Sequence, residues 1–198
     1  MTPLEISDAH HIEPQVYSDT RGAFLEWFRA DMLATALGRD VPIVQANTSV
    51  SAEGVVRGIH FADVPLGQAK YVTVTRGAII DYVVDLRVGS PTYGRWQGVE
   101  LSADNRHAVF LAEGLGHAFV SLADDTTVSY LVTDVFRPES EHAVHPLDAD
   151  LGIDYRRAAD SLVLSDKDRS APTLAQAHAA DVLPTWEACQ RRYRDLAR

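Results

Sequence analysis

The chain has 198 residues, a length that suits one domain with a full hydrophobic core. Its formal net charge of −10 argues against a general nucleic-acid-binding or anionic-membrane surface, so an anionic ligand needs a local cluster of Arg and Lys. The single cysteine, Cys189, rules out an intrachain disulfide and a Cys-based metal site. The sequence contains neither a signal-peptide pattern nor a membrane-span pattern, and we expect a protein of the reducing cytoplasm.

The first two thirds of the chain predict mainly β structure. Residues 1–28 read as extended, with a turn at 19–22, and residues 29–38 read as a helix that ends at Gly38. From Ile43 to Thr133 turn signals recur at a spacing of about ten residues, with no helical pattern between the strands. This pattern favours an antiparallel sandwich or barrel over a βαβ fold.

The C-terminal third is more polar and irregular. Short helices are expected at 173–180 and 184–197, the second with an apolar stripe of Trp186, Cys189, Tyr193 and Leu196. We interpret residues 1–183 as one domain and residues 184–198 as a helical tail that docks on it.

The stretch from Gly54 to Asp85 concentrates charged side chains in strands that also carry Val and Ile. We expect its strands to form one small sheet that brings together Arg57, His60, Lys70, Asp81 and Asp85. Each buried charge needs a partner, so such a cluster indicates a site. Strict alternation would put Arg57 and His60 on opposite faces, but Gly58 between them is a natural place for a β-bulge.

His60 is the first candidate for chemistry, although a lone strand histidine is more often structural. An imidazole that accepts a proton needs a carboxylate to orient it, and Asp81, Asp85 and Asp168 are the candidates. A catalytic metal is disfavoured because the histidines form no close His-x-His pair. Nucleophile-elbow, phosphate-loop and dinucleotide motifs are absent from the sequence. Proton transfer without a cofactor, or pure binding, remains.

Five motifs together resemble the dTDP-4-dehydrorhamnose 3,5-epimerase family over residues 10–175. They lie at residues 57–61 (RGIHF), 68–70 (QAK), 81–92 (DYVVDLRVGSPT), 113–119 (EGLGHAF) and 164–169 (LSDKDR). The resemblance implies a cupin-like jelly-roll β-sandwich with a few short helices, a homodimer, and neither a metal nor an organic cofactor. It further implies inversion of carbons beside the C4 ketone of a dTDP-linked 4-keto-6-deoxyhexose.

The resemblance also assigns roles to individual residues. His60 is expected to be the base, Asp168 its carboxylate partner, Tyr130 the acid on the far side of the sugar, and Lys70 the cation beside the C4 oxygen. Asp81 matches a carboxylate on the pocket floor, whereas Asp85 could simply pair with Arg87 or Arg95. The expected substrate-binding residues are Arg21, Glu26, Gln45, Asn47, Arg57, His117, Phe136, Glu141 and Lys167.

Several hypotheses stay open. Departures such as residues 45–49 (QANTS) and the longer tail resemble epimerases that supply antibiotic sugars, some of which invert only C3 or only C5. The sequence does not decide among C3, C5 or both. A non-catalytic nucleotide-sugar-binding jelly roll and a metal-dependent cupin enzyme are the alternatives.

Overall fold

A computed structural model describes residues 1–197 of the chain. Thirteen strands and four α-helices are found among these residues. The strands are β1 Thr2–Pro3, β2 Ala9–Ile12, β3 Val16–Asp19, β4 Gly22–Leu25, β5 Gln45–Ser51, β6 Val56–Ala62, β7 Lys70–Arg76, β8 Ala78–Asp85, β9 Trp96–Ser102, β10 Ala108–Leu111, β11 Leu115–Ser121, β12 Thr126–Val132 and β13 Glu141–Ala143. The helices are α1 Ala30–Leu37, α2 Asp166–Arg169, α3 Leu174–Ala179 and α4 Trp186–Leu196.

Two antiparallel sheets form the body of the fold. One has six strands in the order β1-β2-β10-β7-β12-β5, and the other has five in the order β13-β6-β11-β8-β9. A separate two-stranded hairpin is made by β3 and β4. The mainly-β, cupin-like jelly-roll prediction is confirmed, as are the early helix and its end at Gly38, which has φ 66°.

The space between the sheets is filled by alternate side chains of the central strands. Val72 and Val128 of the six-stranded sheet and Ile79 and Val83 of the five-stranded sheet are fully buried in one apolar cluster. This follows from the period of two along a strand, which turns every second side chain inward. Polar side chains at the same inward parity therefore lie between the two sheets as well.

The outer face of the five-stranded sheet is covered by the irregular C-terminal segment. Phe61 and Val84 of that face pack in a second cluster with Tyr155, Leu164 and Leu174. The chain after β13 therefore returns across the sheet and delivers α2 next to β6. Burial of this apolar surface holds α2, which has only four residues, in place.

Helix α4 docks on the domain through the predicted stripe. Cys189 and Tyr193 are buried in the main apolar cluster, and the Tyr193 hydroxyl donates to the carbonyl of Glu113. The Arg39 guanidinium lies over the Tyr193 ring at 4.2 Å from its centroid. No helix among residues 1–197 is long and apolar enough to cross a membrane.

One expectation about the charged stretch is wrong. Lys70 does not share a sheet with His60 and Asp81, because β7 pairs with β10 and β12 in the six-stranded sheet while β6 and β8 belong to the five-stranded sheet. The loop before β7 crosses between the sheets. Lys70 therefore approaches His60 across the interior and not along a shared sheet.

Candidate active site

A cavity of about 280 Å³ opens between the two sheets. Both sheets contribute polar side chains to it, together with the segment after β12 and the short helix α2. Its lining residues are Gln45, Asn47, His60, Gln68, Lys70, Tyr130, Phe136, Glu141, His142 and Lys167. Five predicted substrate-binding residues and three of the four predicted catalytic residues are therefore brought together in one place.

One wall of the cavity belongs to the six-stranded sheet. Tyr130 of β12 is directly paired with Asn47 of β5, and Gln45 and Lys70 are both paired with Val132 two residues further along. Side chains two apart on a strand share a face, and diagonal neighbours on adjacent strands lie within reach of each other. The register therefore places the Tyr130 phenol and the Lys70 ammonium on the same wall.

The opposite wall belongs to the five-stranded sheet. His60 of β6 is directly paired with His117 of β11, and the register shifts between His117 and Phe119. Gly58 lies opposite this irregularity with φ 124°, and a Cβ there would lie 2.5 Å from the carbonyl oxygen of His117. The predicted bulge at Gly58 is thus present, and it allows His60 to face inward while Arg57 points to the rim.

His60 and Asp168 form a dyad. The His60 Nε2 atom is 2.7 Å from Asp168 Oδ1, although the two residues are 108 positions apart in the chain. Asp168 lies in α2, whose first turn is capped by Ser165, with the Asp168 amide donating to Ser165 Oγ. Of the three carboxylates considered as partners for His60, Asp168 makes the contact.

Asp168 is held as a carboxylate. Burial alone would raise the pKa of Asp168, but hydrogen bonds from His60, Ser165 and the Gly58 backbone, with the charge of His60, hold that pKa below its usual value. The negative charge stabilises an imidazolium at His60. The dyad therefore favours proton uptake by the ring nitrogen that faces away from Asp168.

A second histidine–carboxylate pair, His117 and Asp81, lies on the neighbouring strands β11 and β8, and neither residue lines the cavity. His117 Nε2 is 2.6 Å from Asp81 Oδ1, and both side chains are nearly fully buried. The second oxygen of Asp81 is buried without a hydrogen-bond partner among the described residues. Asp85, by contrast, is bonded to Arg87, Ser90 and Thr92, and so belongs to a structural network.

Lys70 is buried, and its surroundings disfavour its charge. Burial lowers the pKa of Lys70 to about 8, opposed by the charge of Glu141. Its ammonium donates to the side-chain oxygen of Gln68 at 2.8 Å, and Gln68 in turn donates to Glu141 at 3.1 Å. Because nearby negative charge offsets the burial of this ammonium so little, the ammonium interacts strongly with any negative charge that develops in the cavity.

Tyr130 is kept neutral and able to donate a proton. Burial raises the pKa of Tyr130, with Arg57 opposing and Glu141 reinforcing the shift. A phenol of this kind carries its proton at neutral pH. The two walls therefore present an imidazole and a protonated phenol to the same space.

The remaining predicted residues divide into three groups, of which two lie at or beside the cavity. Gln45, Asn47, Phe136, Glu141 and Lys167 line the cavity, and Phe136 is 57% exposed at its mouth. Arg57 lines an adjoining groove with His60, Lys167 and Asp168, and it donates to Ser51 Oγ.

Arg21 and Glu26 do not line the cavity of the single chain. The Arg21 side chain is 88% exposed at the tip of the β3–β4 hairpin and pairs with Asp19. Glu26 lies after the hairpin, beside a separate apolar groove that contains Trp27 and Tyr71. Arg21 and Glu26 can therefore bind substrate, as predicted, only in the cavity of a second chain.

Sequence reasoning missed Gln68 and His142. Gln68 orients both Lys70 and Glu141, and His142 pairs with Asp63 at 2.8 Å at the cavity edge. The position of Gln68, two residues before Lys70, was an available signal. No pattern in the sequence indicates His142, because its strand β13 is an edge strand of three residues.

Comparisons with known proteins agree with this geometry. The family model described as dTDP-4-dehydrorhamnose 3,5-epimerase matches residues 3–176. The chain is 49% identical over 195 residues to a dTDP-4-dehydrorhamnose 3,5-epimerase of Mycolicibacterium smegmatis, covering 98% of this chain and 96% of that one.

Two solved structures are also similar to the chain. NovW, a 4-keto-6-deoxy sugar epimerase from the novobiocin biosynthetic gene cluster of Streptomyces spheroides, has TM-score 0.92 and 51% identity, covering 96% of this chain and 94% of that one. The second is the H60N/Y130F double mutant of ChmJ, a 3'-monoepimerase from Streptomyces bikiniensis, in complex with dTDP. It has TM-score 0.94 and 46% identity, and the match covers 100% of this chain and 98% of that one.

Proposed function

We propose, because the chain belongs to the dTDP-4-dehydrorhamnose 3,5-epimerase family, that it epimerises a dTDP-linked 4-keto-6-deoxyhexose at C3, at C5 or at both. The observation that carries this proposal is the placement of the His60–Asp168 dyad and Tyr130 on opposite walls of one cavity. Inversion of a carbon requires a proton to leave one face and a proton to arrive at the other. Two proton-transfer groups across a bound ring meet that requirement.

The first step is removal of a proton beside the ketone. The free ring nitrogen of His60 takes the proton from carbon, and the bonding electrons move toward the C4 oxygen to form an enolate. Asp168 stabilises the imidazolium that results. The buried Lys70 ammonium stabilises the negative oxygen as it develops.

The second step is protonation from the other side. Tyr130 gives its proton to the same carbon on the opposite face, and the electrons return from oxygen to restore the ketone. The Tyr130 phenolate then regains a proton, and the His60 imidazolium loses one, by exchange with solvent. The charge on Lys70 stabilises the enolate through both steps. Proton transfers alone complete the reaction, so we propose no metal and no organic cofactor.

The solved ChmJ structure supports these roles. That protein was studied with both His60 and Tyr130 replaced, and these residue types stand at the same numbers in this chain. His60 and Tyr130 are therefore the pair that we assign to proton transfer.

The nucleotide is expected at the mouth of the cavity. Phe136 offers an exposed ring for stacking on a base, and Lys167 and Arg57 lie on the side of the cavity that continues into the adjoining groove. Guanidinium and ammonium groups suit a diphosphate, despite the overall charge of −10. The similarity to NovW favours a place in antibiotic-sugar biosynthesis.

The test follows deuterium from solvent into the sugar. In D2O, the chain with a dTDP-linked 4-keto-6-deoxyglucose is expected to incorporate deuterium at each carbon that it inverts, located by NMR at C3 and C5. Deuterium with inverted configuration at one carbon identifies a monoepimerase, and the same result at both carbons identifies a 3,5-epimerase. If deuterium enters neither C3 nor C5, the proposal is contradicted.

We further propose that the chain acts as a homodimer in which the β3–β4 hairpin of one subunit reaches the cavity of its partner. The hairpin exposes Tyr17 and Phe24 to 61% and 66%, and it carries Arg21 far from its own cavity. Among residues 1–197, β5 is an edge strand of the six-stranded sheet, and it pairs with the strand that carries Tyr130. Exposed apolar rings and an open strand edge both favour burial against another chain.

Mixed variants test this arrangement. Arg21→Ala and His60→Asn subunits, each poorly active alone, are unfolded and refolded together so that subunits exchange. If Arg21 serves the partner's cavity, hybrid dimers contain one intact site, and activity recovers to at most about a quarter of wild type by random assortment. If activity does not recover although light scattering shows hybrid dimers, the shared site is contradicted.

A further inference from the structure

A cluster of two histidines and a glutamate lies away from the His60 cavity, where β2 runs beside β10. His11 is in β2, Glu13 follows directly after it, and His107 directly precedes β10. One ligand atom from each of the three lies within 4.8 Å of the others. None of the three lines the cavity that contains His60.

The register of the two strands accounts for this arrangement. β2 and β10 are antiparallel, with His11 directly opposite Val109 and Ile12 opposite Ala108. Because side chains alternate along a strand, Glu13 shares the face of His11, and His107 shares the face of Val109. The sheet therefore brings all three side chains to one face.

The backbone of His107 is hydrogen-bonded at both its N–H and its carbonyl. Its backbone N–H donates to Asn105 Oδ1 at 2.9 Å, and its carbonyl accepts from Thr73 Oγ1 at 3.0 Å. The His11 and His107 rings meet edge to face, with centroids 4.7 Å apart. Backbone support of this kind reduces the entropy lost when a ligand binds.

The separations suit a transition metal. His11 Nε2 and His107 Nδ1 are 3.0 Å apart. Two nitrogens bound tetrahedrally to zinc at about 2.0–2.1 Å are about 3.3 Å apart, so the rings need to move by only a few tenths of an ångström. Glu13 Oε1 is 3.7 Å from the other nitrogen of His11, and this exposed side chain can rotate toward the same point.

We propose that His11, Glu13 and His107 form a peripheral binding site for Zn²⁺ or a similar transition-metal ion, with water as the fourth ligand. Two imidazoles and one carboxylate are a known set of zinc ligands, whereas Mg²⁺ and Ca²⁺ prefer oxygen alone. The net charge of −10 adds a favourable field for a cation. The site is separate from the epimerase chemistry, and each can fail without the other.

Calorimetric titration of the full-length chain tests the proposal. The protein carries no polyhistidine tag, is stripped with a chelator, and is titrated with ZnCl2 and, separately, MgCl2. One Zn²⁺ is expected to bind per chain with a Kd well below about 1 mM, and no heat is expected for Mg²⁺. Failure to bind Zn²⁺ in this range means that the two rings share only a hydrogen bond, and overturns the proposal.

Variants identify the ligands. His11→Ala and His107→Ala are each expected to weaken Zn²⁺ binding by at least about tenfold, and Glu13→Gln by less. His178→Ala is the matched control, because His178 is exposed in α3 and is expected to leave binding unchanged. Equal Zn²⁺ affinity in wild type and both histidine variants overturns the assignment.

A measurement on the wild type avoids dependence on variant folding. In ¹⁵N-labelled protein, addition of Zn²⁺ is expected to shift the ring-nitrogen resonances of His11 and His107 together, while those of His178 stay in place. A shift confined to other histidines overturns the proposal even if the stoichiometry is correct.

Discussion

His60 and Tyr130 face one cavity from opposite sheets of the sandwich, His60 from β6 and Tyr130 from β12. Neither strand pairs with the other, so the relationship exists only because the two sheets pack face to face. A sugar ring between them has one face toward an imidazole and the other toward a phenol.

Replacement of His60 by Asn is expected to remove the base and preserve the fold. The kcat for epimerisation should fall by about 10²–10⁴-fold, because general-base catalysis contributes on this scale. Affinity for dTDP should change little, since the nucleotide is expected at the mouth of the cavity. His178→Asn is the control and should retain full activity. Unchanged turnover in His60→Asn would remove His60 from the mechanism.

Asp168→Asn tests the dyad. The amide can still accept a hydrogen bond but cannot stabilise an imidazolium, so kcat is expected to fall by about tenfold to a hundredfold or more. Asp166, two residues earlier in α2, is exposed, and Asp166→Asn should be near wild type. Steady-state kinetics of the two variants make the comparison. Equal losses in both would indicate damage to α2 and not loss of a charge.

Lys70 predicts an alkaline limit to activity. Its pKa of about 8 means that the ammonium is present below that pH and is lost as the pH rises through it. If the ammonium stabilises the enolate, kcat falls on the alkaline side with an apparent pKa near 8. Lys70→Arg should move that limit upward, because guanidinium stays protonated.

Lys70→Gln is the complementary variant for the same pH profile. It has no titrating group at this position, so its kcat should be low at all pH values and should not show the fall near pH 8. If kcat of Lys70→Gln still falls near pH 8 as in the wild type, the titration belongs to another group.

The Arg87 network predicts a stability effect remote from the chemistry. Arg87 is fully buried and bonds Asp85 and Asp8, and its guanidinium lies 4.5 Å from the centroid of the Trp186 ring. Arg87→Met leaves the buried Asp85 charge uncompensated and is expected to lower the free energy of unfolding by about 3–5 kcal/mol. Urea denaturation measures the free energy of unfolding. Arg95 is exposed, so the control variant Arg95→Met is expected to lie within about 0.5 kcal/mol of wild type.

The strand-rich architecture could be predicted because turn residues and alternation are local signals. The bulge at Gly58 was also foreseeable, since only glycine tolerates both φ 124° and the approach of the His117 carbonyl. The C-terminal helix could be predicted from the apolar stripe that contains Cys189 and Tyr193. These features depend on residues close together in the chain.

The assignment of strands to sheets could not be predicted in the same way. Lys70 is ten residues from His60, yet its strand joins the other sheet, because pairing is decided by distant partners such as β12. The contact between His60 and Asp168 spans 108 positions and was assigned only by family resemblance. The isolation of Arg21 from its own cavity depends on where the hairpin projects, and no local pattern encodes that direction.

The most direct test of two-sided proton transfer compares exchange with inversion in Tyr130→Phe. The His60 side chain is 35% exposed, so a proton that it removes can exchange with D2O before it returns. We predict that the variant still incorporates deuterium at the reacting carbon with retained configuration, while the inverted product falls by at least about a hundredfold. Inversion at the wild-type rate in Tyr130→Phe, measured by the same NMR experiment, would contradict the account.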